Sequence, residues 1–167
     1  MILVAALAVC SQPAAGANGA APSQTRPING AAFCQAMQPQ VQAVIAPKLS
    51  LHSSSDSTDE LHLGETPYVE CDFRANSDGN ADQITVGLHD ATSGTFDFNP
   101  QDNHYAPLVG FGDRARYTVQ GAMGMRWVDV VKGGAACEVR VALDDSDIKG
   151  DWKQVAGNLC NAAFAAM

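Results

Sequence analysis

Apolar and polar residues alternate with a period of two in several short segments of the chain, a pattern typical of half-buried β-strands. In TPYVECDFRA, the apolar residues Val69, Cys71 and Phe73 alternate with charged side chains. The same pattern predicts strands at Gln83 to His89, Thr95 to Phe98, Arg116 to Gln120, Met125 to Val131 and Cys137 to Leu143. These segments predict one antiparallel sheet.

The C-terminal segment has helical periodicity instead. Asp151 suits the N-cap position and Gln154 follows three residues later, which is a capping-box arrangement. The apolar stripe of the predicted helix consists of Val155, Leu159, Ala163 and Phe164, with Trp152 in the first turn and Cys160 beside the stripe.

The segment AAFCQAMQPQVQAVIAPKL predicts a second, N-terminal helix. Proline is tolerated at the first helical position but not in a helix interior. We therefore expect a short turn over residues 33–37 and then a helix from Pro39 to about Ala46, with Gln38 as an imperfect cap. Val41, Val44 and Ile45 would form its buried face.

The order of helix, strands and helix predicts an α+β domain over residues 28–167, a single antiparallel sheet with an N-terminal and a C-terminal helix on one face. The polar run 49–65 and the segment NSDGNAD predict a loop and a turn. A length of 167 residues suits one such domain.

The first residues, MILVAALAVC, resemble the apolar core of a signal peptide. Leu7-Ala8-Val9-Cys10 is similar to a lipobox, in which Cys10 would be lipidated and become the first residue after cleavage. Alternatively, signal peptidase would cleave after Ala17 and discard Cys10; a free cysteine in a cytosolic tail is the third interpretation. Residues 11–27 are rich in Pro, Ala, Gly and Ser and predict a flexible tether.

The charge balance narrows the set of partners. The chain has 10 Lys and Arg against 18 Asp and Glu, a net charge of −8, so we expect no nucleic-acid partner. No apolar run approaches the roughly 20 residues that cross a bilayer. We therefore expect contact with a membrane only through a lipid anchor.

Four cysteines remain once Cys10 is set aside, and an even number favours disulfides. No two have the C-x-x-C spacing of a zinc site or redox centre. Pairing Cys34 with Cys71 and Cys137 with Cys160 would attach each helix to the sheet, and we favour it. The rival pairing, Cys34 with Cys160 and Cys71 with Cys137, would close longer loops and is not excluded by stability.

Candidate chemistry is sparse, and we expect neither a cofactor nor a metal site. The histidines lack zinc-ligand spacing, and NSDGNAD lacks the bidentate Glu of a calcium loop. The segment LDDSD predicts a solvated turn, and VGFGDRARY a glycine turn leading into a strand. Met123, Met125 and Trp127 have the composition of a ligand-binding patch, although packing against the final helix explains them as well.

Several features together resemble a known group of proteins. These are the lipobox with its tether, Cys34 followed by Pro39, the strand VECDF, the segment VGFGDRARY, the strand CEVRV and the terminal LCNAAFAAM. In their order and spacing they resemble the small exported lipoproteins of unknown function that are abundant in actinobacteria. The resemblance implies an envelope α+β domain, similar in outline to extracellular sensor domains of bacterial Ser/Thr kinases, supports the sequential disulfide pairing and implies no reaction.

Two function classes follow from the sequence. The first is a non-catalytic, extracytoplasmic module, lipid-anchored or secreted, that binds a small apolar molecule, a wall component or a partner protein. The alternative is a secreted hydrolase, for which His89 and Asp90 form the one local pair that could be nominated. We favour the first class because no nucleophile, base and orienting group can be named together.

Overall fold

The computed structural model describes residues 29–47, 53–58, 69–74, 83–91, 103–118 and 125–167. In chain order, its helices and strands are α1 (Gly30–Val44), β1 (Ser53–Thr58), β2 (Val69–Arg74), β3 (Gln83–Asp90), β4 (Tyr105–Pro107), β5 (Arg114–Thr118), β6 (Arg126–Lys132), β7 (Ala135–Ala142) and α2 (Trp152–Ala165). A short 3-10 turn, Asp145–Asp147, precedes α2.

The seven strands form one sheet in the order β1-β2-β3-β7-β6-β5-β4, and every neighbouring pair is antiparallel. Strands β1 to β3 form one meander and β4 to β7 form another. The two meanders meet where β3 pairs with β7, so the centre of the sheet joins distant parts of the sequence.

Both helices cover the same face of the sheet. Helix α1 packs on β1 and β2, α2 packs on β7 and β6, and the two helices contact each other. The strand residues beneath them are almost all apolar and fully buried: Val69, Cys71, Phe73, Ile84, Val86, Leu88, Val128, Val130, Cys137, Val139 and Val141. This architecture confirms the predicted α+β fold.

Helix α1 differs from the prediction. It begins at Gly30 and continues through Pro39 to Val44, so the predicted break at Pro39 is wrong. The N-cap is Asn29, whose side-chain oxygen accepts a hydrogen bond from the backbone N–H of Ala32 at 3.1 Å, and not Gln38.

The packing of α1 explains why Pro39 does not end it. A proline at this position leaves the carbonyl of Gln35 without its helical donor. Both residues lie on the exposed side of the helix, where water can hydrogen-bond that carbonyl. On the other side, Phe33, Met37 and Val41 are buried against the sheet and stabilise the continuous helix.

The predicted strands that lie within the described residues are confirmed. Two further strands are defined by pairing with a neighbour and not by an alternating sequence pattern. Strand β1 lies inside the polar run predicted to be a loop, so that prediction is wrong; its pairing with β2 supplies backbone hydrogen bonds that its own composition does not indicate. Strand β4, only three residues long, was not predicted either. The predicted strand at Thr95 to Phe98 and the turn NSDGNAD lie outside the described residues.

Helix α2 confirms the predicted C-terminal helix and its N-cap at Asp151. The side chain of Asp151 caps it by accepting a hydrogen bond from the N–H of Lys153 at 2.9 Å. The stripe residues Val155, Leu159 and Ala163 are buried. No helix among the described residues is long and apolar enough to cross a membrane.

Two disulfides attach the helices to the sheet, with the predicted pairing. Cys34 of α1 is bonded to Cys71 of β2, and Cys137 of β7 is bonded to Cys160 of α2, with Cα atoms 5.5 and 5.6 Å apart. Disulfides form and persist in oxidising compartments. The two bonds therefore indicate an oxidising, extracytoplasmic location.

The loop between β4 and β5 is fixed against α2 through a glycine. An added Cβ at Gly157 would lie 2.6 Å from the ring of Phe111, which is itself buried. The glycine therefore lets the aromatic ring contact the helix backbone directly.

We expect Gly157→Ala to lower the free energy of unfolding by about 1–3 kcal/mol, because overpacking outweighs the better helix propensity of alanine. Urea denaturation measures the change. Asn158→Ala, at the exposed neighbouring position, is the control and should leave stability nearly unchanged. A Gly157→Ala variant as stable as the wild type would contradict the contact.

Candidate functional site on the polar face of the sheet

The side of the sheet opposite the helices is here called the polar face. Side chains alternate between the two faces along each strand, so the residues between the buried apolar positions lie here. One row across the sheet contains Pro107, Arg116, Asp129, Glu138, Gly87 and Glu70. A parallel row contains Tyr105, Thr118, Trp127, Arg140, Thr85 and Asp72.

Asp129 is a buried carboxylate at the centre of the first row. Its Oδ2 accepts a hydrogen bond from Arg116 Nε at 2.7 Å, and its side chain is only 2% exposed. Within the described part of the chain, its Oδ1 is buried and accepts no hydrogen bond. Burial, assisted by the charge of Glu138 and opposed by Arg116, raises the pKa of Asp129 to about 6.

An aromatic residue lies against the guanidinium of Arg116 and is hydrogen-bonded to a second aromatic residue. The guanidinium lies over the ring of Tyr105, 3.8 Å from the centroid, a cation–π contact. The hydroxyl of Tyr105 accepts a hydrogen bond from Trp127 Nε1 at 2.9 Å. The backbone N–H of Trp127 in turn donates to Thr118 Oγ1 at 3.0 Å. These contacts hold the aromatic side chains in defined positions beside the charged pair.

A second group of charges lies on the other side of Asp129. Arg140 forms an ion pair through Nε with Glu138 Oε1 at 2.7 Å, and another through its terminal nitrogen with Glu70. Glu70 is on β2, two strands away from β7, and its register partner on β3 is Gly87, which is also the partner of Glu138. A residue without a side chain at this position leaves room for the arginine to span β3.

A network of hydrogen bonds extends this group along β2 and β3. Asp72 Oδ1 accepts hydrogen bonds from Thr85 Oγ1 at 2.6 Å and from Gln83 Nε2 at 2.8 Å. Thr85 is buried although it lies on the polar face. The polar face thus combines ion pairs, hydroxyl groups and aromatic rings in one connected arrangement.

His89 lies at the end of β3 and is half-buried. Burial, together with the nearby charge of Arg140, lowers the pKa of His89 to about 4. Its imidazole is therefore neutral near pH 7. Asp90, the other member of the pair nominated for a hydrolase, is the last residue of β3 and pairs in register with Ala135.

The predicted ligand patch is divided by the structure. Trp127 lies on the polar face, so the alternative that it packs against the final helix is wrong. Its neighbour Val128 lies on the helix-covered face instead and is fully buried in the core. Met125 is half-buried just before β6, and Met123 lies outside the described residues. In the segment LDDSD, Asp145 forms an ion pair with Arg126.

Sequence reasoning missed the most unusual residue of this face, Asp129. A signal was present, because Arg116, Asp129, Glu138 and Arg140 all occupy polar positions within predicted strands. The pattern does not reveal which strands become neighbours, so it could not show that Asp129 faces Glu138. Among the described residues, no group of three or more His, Cys, Asp or Glu could hold a metal ion.

Fold and site together define a disulfide-bonded, extracytoplasmic α+β domain with one face closed by helices and one face bearing a charged and aromatic network. Comparison with protein-family models, curated proteins and solved structures finds no match to the chain.

Proposed function

We propose that this protein is a non-catalytic binding module of the cell envelope and that the polar face is its binding surface. The observation that carries this proposal is the connected set of ion pairs and aromatic contacts around Asp129. A sheet face that only meets solvent needs neither a buried carboxylate nor two aromatic rings held by hydrogen bonds. Binding sites combine a few fixed polar groups with aromatic side chains and groups of perturbed pKa.

The chemistry of the polar face favours a polar ligand over an apolar one. Arg116 and Arg140 contribute planar guanidinium groups, and Trp127 and Tyr105 contribute aromatic surface, a combination suited to a wall component or a polar segment of a partner protein. An apolar small molecule, the ligand considered from the sequence, would remove water from these ion pairs without offering them hydrogen bonds, at a cost in free energy.

The location proposed for the protein follows from the resemblance to exported lipoproteins together with the disulfides. Either Cys10 carries a lipid that anchors the domain to the membrane through the tether, or cleavage after Ala17 releases it. In both cases the domain would act outside the cytoplasm.

Two matched arginine variants test the binding surface. Arg140→Gln changes the polar face, whereas Arg126→Gln breaks an ion pair with Asp145 at the start of β6, on the side of the sheet that α2 covers. Protein recovered from its own envelope or medium is examined by native mass spectrometry and by identification of co-purified proteins. The spectrum also shows whether the chain begins at a lipidated Cys10 or at Asn18.

We expect wild type and Arg126→Gln to retain the same ligand or partner, and Arg140→Gln to lose most of it. Equal retention by Arg140→Gln would place the binding surface elsewhere. Turnover of a retained ligand that disappears in His89→Ala would favour the hydrolase alternative instead.

A further inference from the structure

Asp129 is a buried carboxyl group in surroundings that oppose its ionisation. Its side chain is 2% exposed, and its direct register partner on β7 is the acidic residue Glu138. Within the described part of the chain, Asp129 Oδ1 is buried and accepts no hydrogen bond. Burial, a like charge and an oxygen without a donor each disfavour the ionised form of a carboxyl group. The position of Asp129 in the fold therefore favours uptake of a proton.

The contact of Asp129 with Arg116 has the opposite effect. Asp129 Oδ2 accepts a hydrogen bond from Arg116 Nε at 2.7 Å, and a guanidinium beside a carboxyl group favours the ionised form. Burial outweighs this contact, with the charge of Glu138 adding to it, and the pKa of Asp129 is raised to about 6. The charge of Asp129 therefore changes between about pH 5 and about pH 7.

The strands around Asp129 place other titratable side chains on the polar face: Arg114 and Arg116 of β5, Glu138 and Arg140 of β7, Tyr105 of β4 and His89 of β3. Arginine stays protonated throughout the range in which Asp129 titrates. His89 has a pKa of about 4, so its imidazole is mostly neutral there. Uptake of a proton by Asp129 thus changes the charge of a face whose arginines keep theirs.

The guanidinium of Arg116 connects Asp129 to the aromatic side chains. It lies 3.8 Å from the centroid of the Tyr105 ring, and the Tyr105 hydroxyl accepts a hydrogen bond from Trp127 Nε1 at 2.9 Å. The Arg116 side chain is only 12% exposed, and a buried cation is destabilised when its partner loses the opposite charge. Arg116 also takes part in a further interaction. We therefore expect protonation of Asp129 to displace the guanidinium over Tyr105 without freeing it.

We propose that Asp129 is a proton-operated switch of the polar face. When ionised, it holds the Arg116 guanidinium against Tyr105 and thereby fixes the position of Trp127. A proton from water that binds Oδ1, the oxygen without a hydrogen bond, neutralises the carboxyl group and relaxes this arrangement. The switch goes beyond the proposed function, because it concerns the regulation of the polar face, and its test requires no ligand.

NMR of the full, disulfide-bonded chain tests the switch. The Nε–H of Arg116 donates to Asp129 and the indole N–H of Trp127 donates to Tyr105, whereas Trp152 belongs to α2 on the other side of the sheet. The three signals are followed from about pH 4.5 to about pH 8. We expect both polar-face signals to shift with one midpoint near the pKa of Asp129, about 6, and the Trp152 signal to show no transition there.

Four variants assign the transition to its group. Asp129→Asn cannot titrate, so the transition should disappear from both signals. Glu138→Gln removes a charge that raises the pKa of Asp129, so the midpoint should move to lower pH; this variant keeps the test decisive if Asp129→Asn folds poorly. His104→Gln removes the exposed imidazole next to Tyr105, and Asp145→Asn removes an exposed carboxylate on another surface. Both controls should leave the midpoint in place.

Two results would overturn the switch. Arg116 and Trp127 signals that stay in place over the whole pH range would show that the charge of Asp129 does not control the aromatic side chains. A transition that persists in Asp129→Asn, or one that disappears in His104→Gln, would belong to another group. The proposed function is tested separately by the retention of an envelope ligand in Arg140→Gln, so either proposal can fail without the other.

Discussion

Removing the disulfide between Cys34 and Cys71, by replacing both residues with alanine, is expected to lower the free energy of unfolding by about 4 kcal/mol. The bond closes a loop with a sequence separation of 37 residues. The entropy that a disulfide removes from the unfolded chain grows with the logarithm of the loop length. The same replacement of Cys137 and Cys160, with a separation of 23, should cost about 3 kcal/mol.

Both losses are large beside the 5–15 kcal/mol by which natural domains are stable. Urea denaturation of each double variant, with and without a reductant, measures these losses of stability. In a variant that lacks both disulfides, a reductant should have no further effect. The buried positions of the four cysteines make alanine the suitable replacement. A midpoint unchanged by reduction of the wild-type protein would contradict a structural role for the disulfides.

A second large effect is expected in the pH dependence of stability of an Asp129→Asn variant. The folded-state pKa of Asp129 lies at about 6, above its ordinary value of 3.8. Between these values the folded state binds more protons than the unfolded state, so the contribution of Asp129 is complete below about pH 3.8 and is lost as pH rises through 6. Asparagine cannot titrate, so Asp129→Asn should gain about 2 kcal/mol relative to wild type between pH 4 and pH 7.

His89 provides a control of opposite sign. Its folded-state pKa of about 4 lies below the ordinary 6.5, so its contribution is complete above pH 6.5 and is lost as pH falls toward 4. His89→Asn should therefore gain stability relative to wild type as the pH falls. Urea denaturation of wild type, Asp129→Asn and His89→Asn from pH 4 to pH 7 measures both differences in stability. The contributions of the other titrating groups cancel in these differences. Parallel curves for wild type and Asp129→Asn would show that Asp129 titrates normally.

The sequence by itself determined the elements that have a strong local signal. The alternation in β2, β3, β6 and β7 identified the buried face of the sheet because side-chain direction in a strand depends only on the order of residues. The N-cap at Asp151 and the apolar stripe of α2 are equally local. The even number of cysteines and the attachment of each helix to the sheet were sufficient to favour the observed pairing over its rival.

Only the tertiary structure decided which polar residues meet. Strand β1 exists because β2 offers it a partner, and α1 continues through Pro39 because its opposite side is buried against the sheet. The proximity of Asp129 to Glu138 depends on the pairing of β6 with β7, and the ion pair of Arg140 with Glu70 joins residues 70 positions apart. Such contacts arise from strand order and register, which no local pattern of hydrophobicity encodes, so the candidate site became visible only in the folded chain.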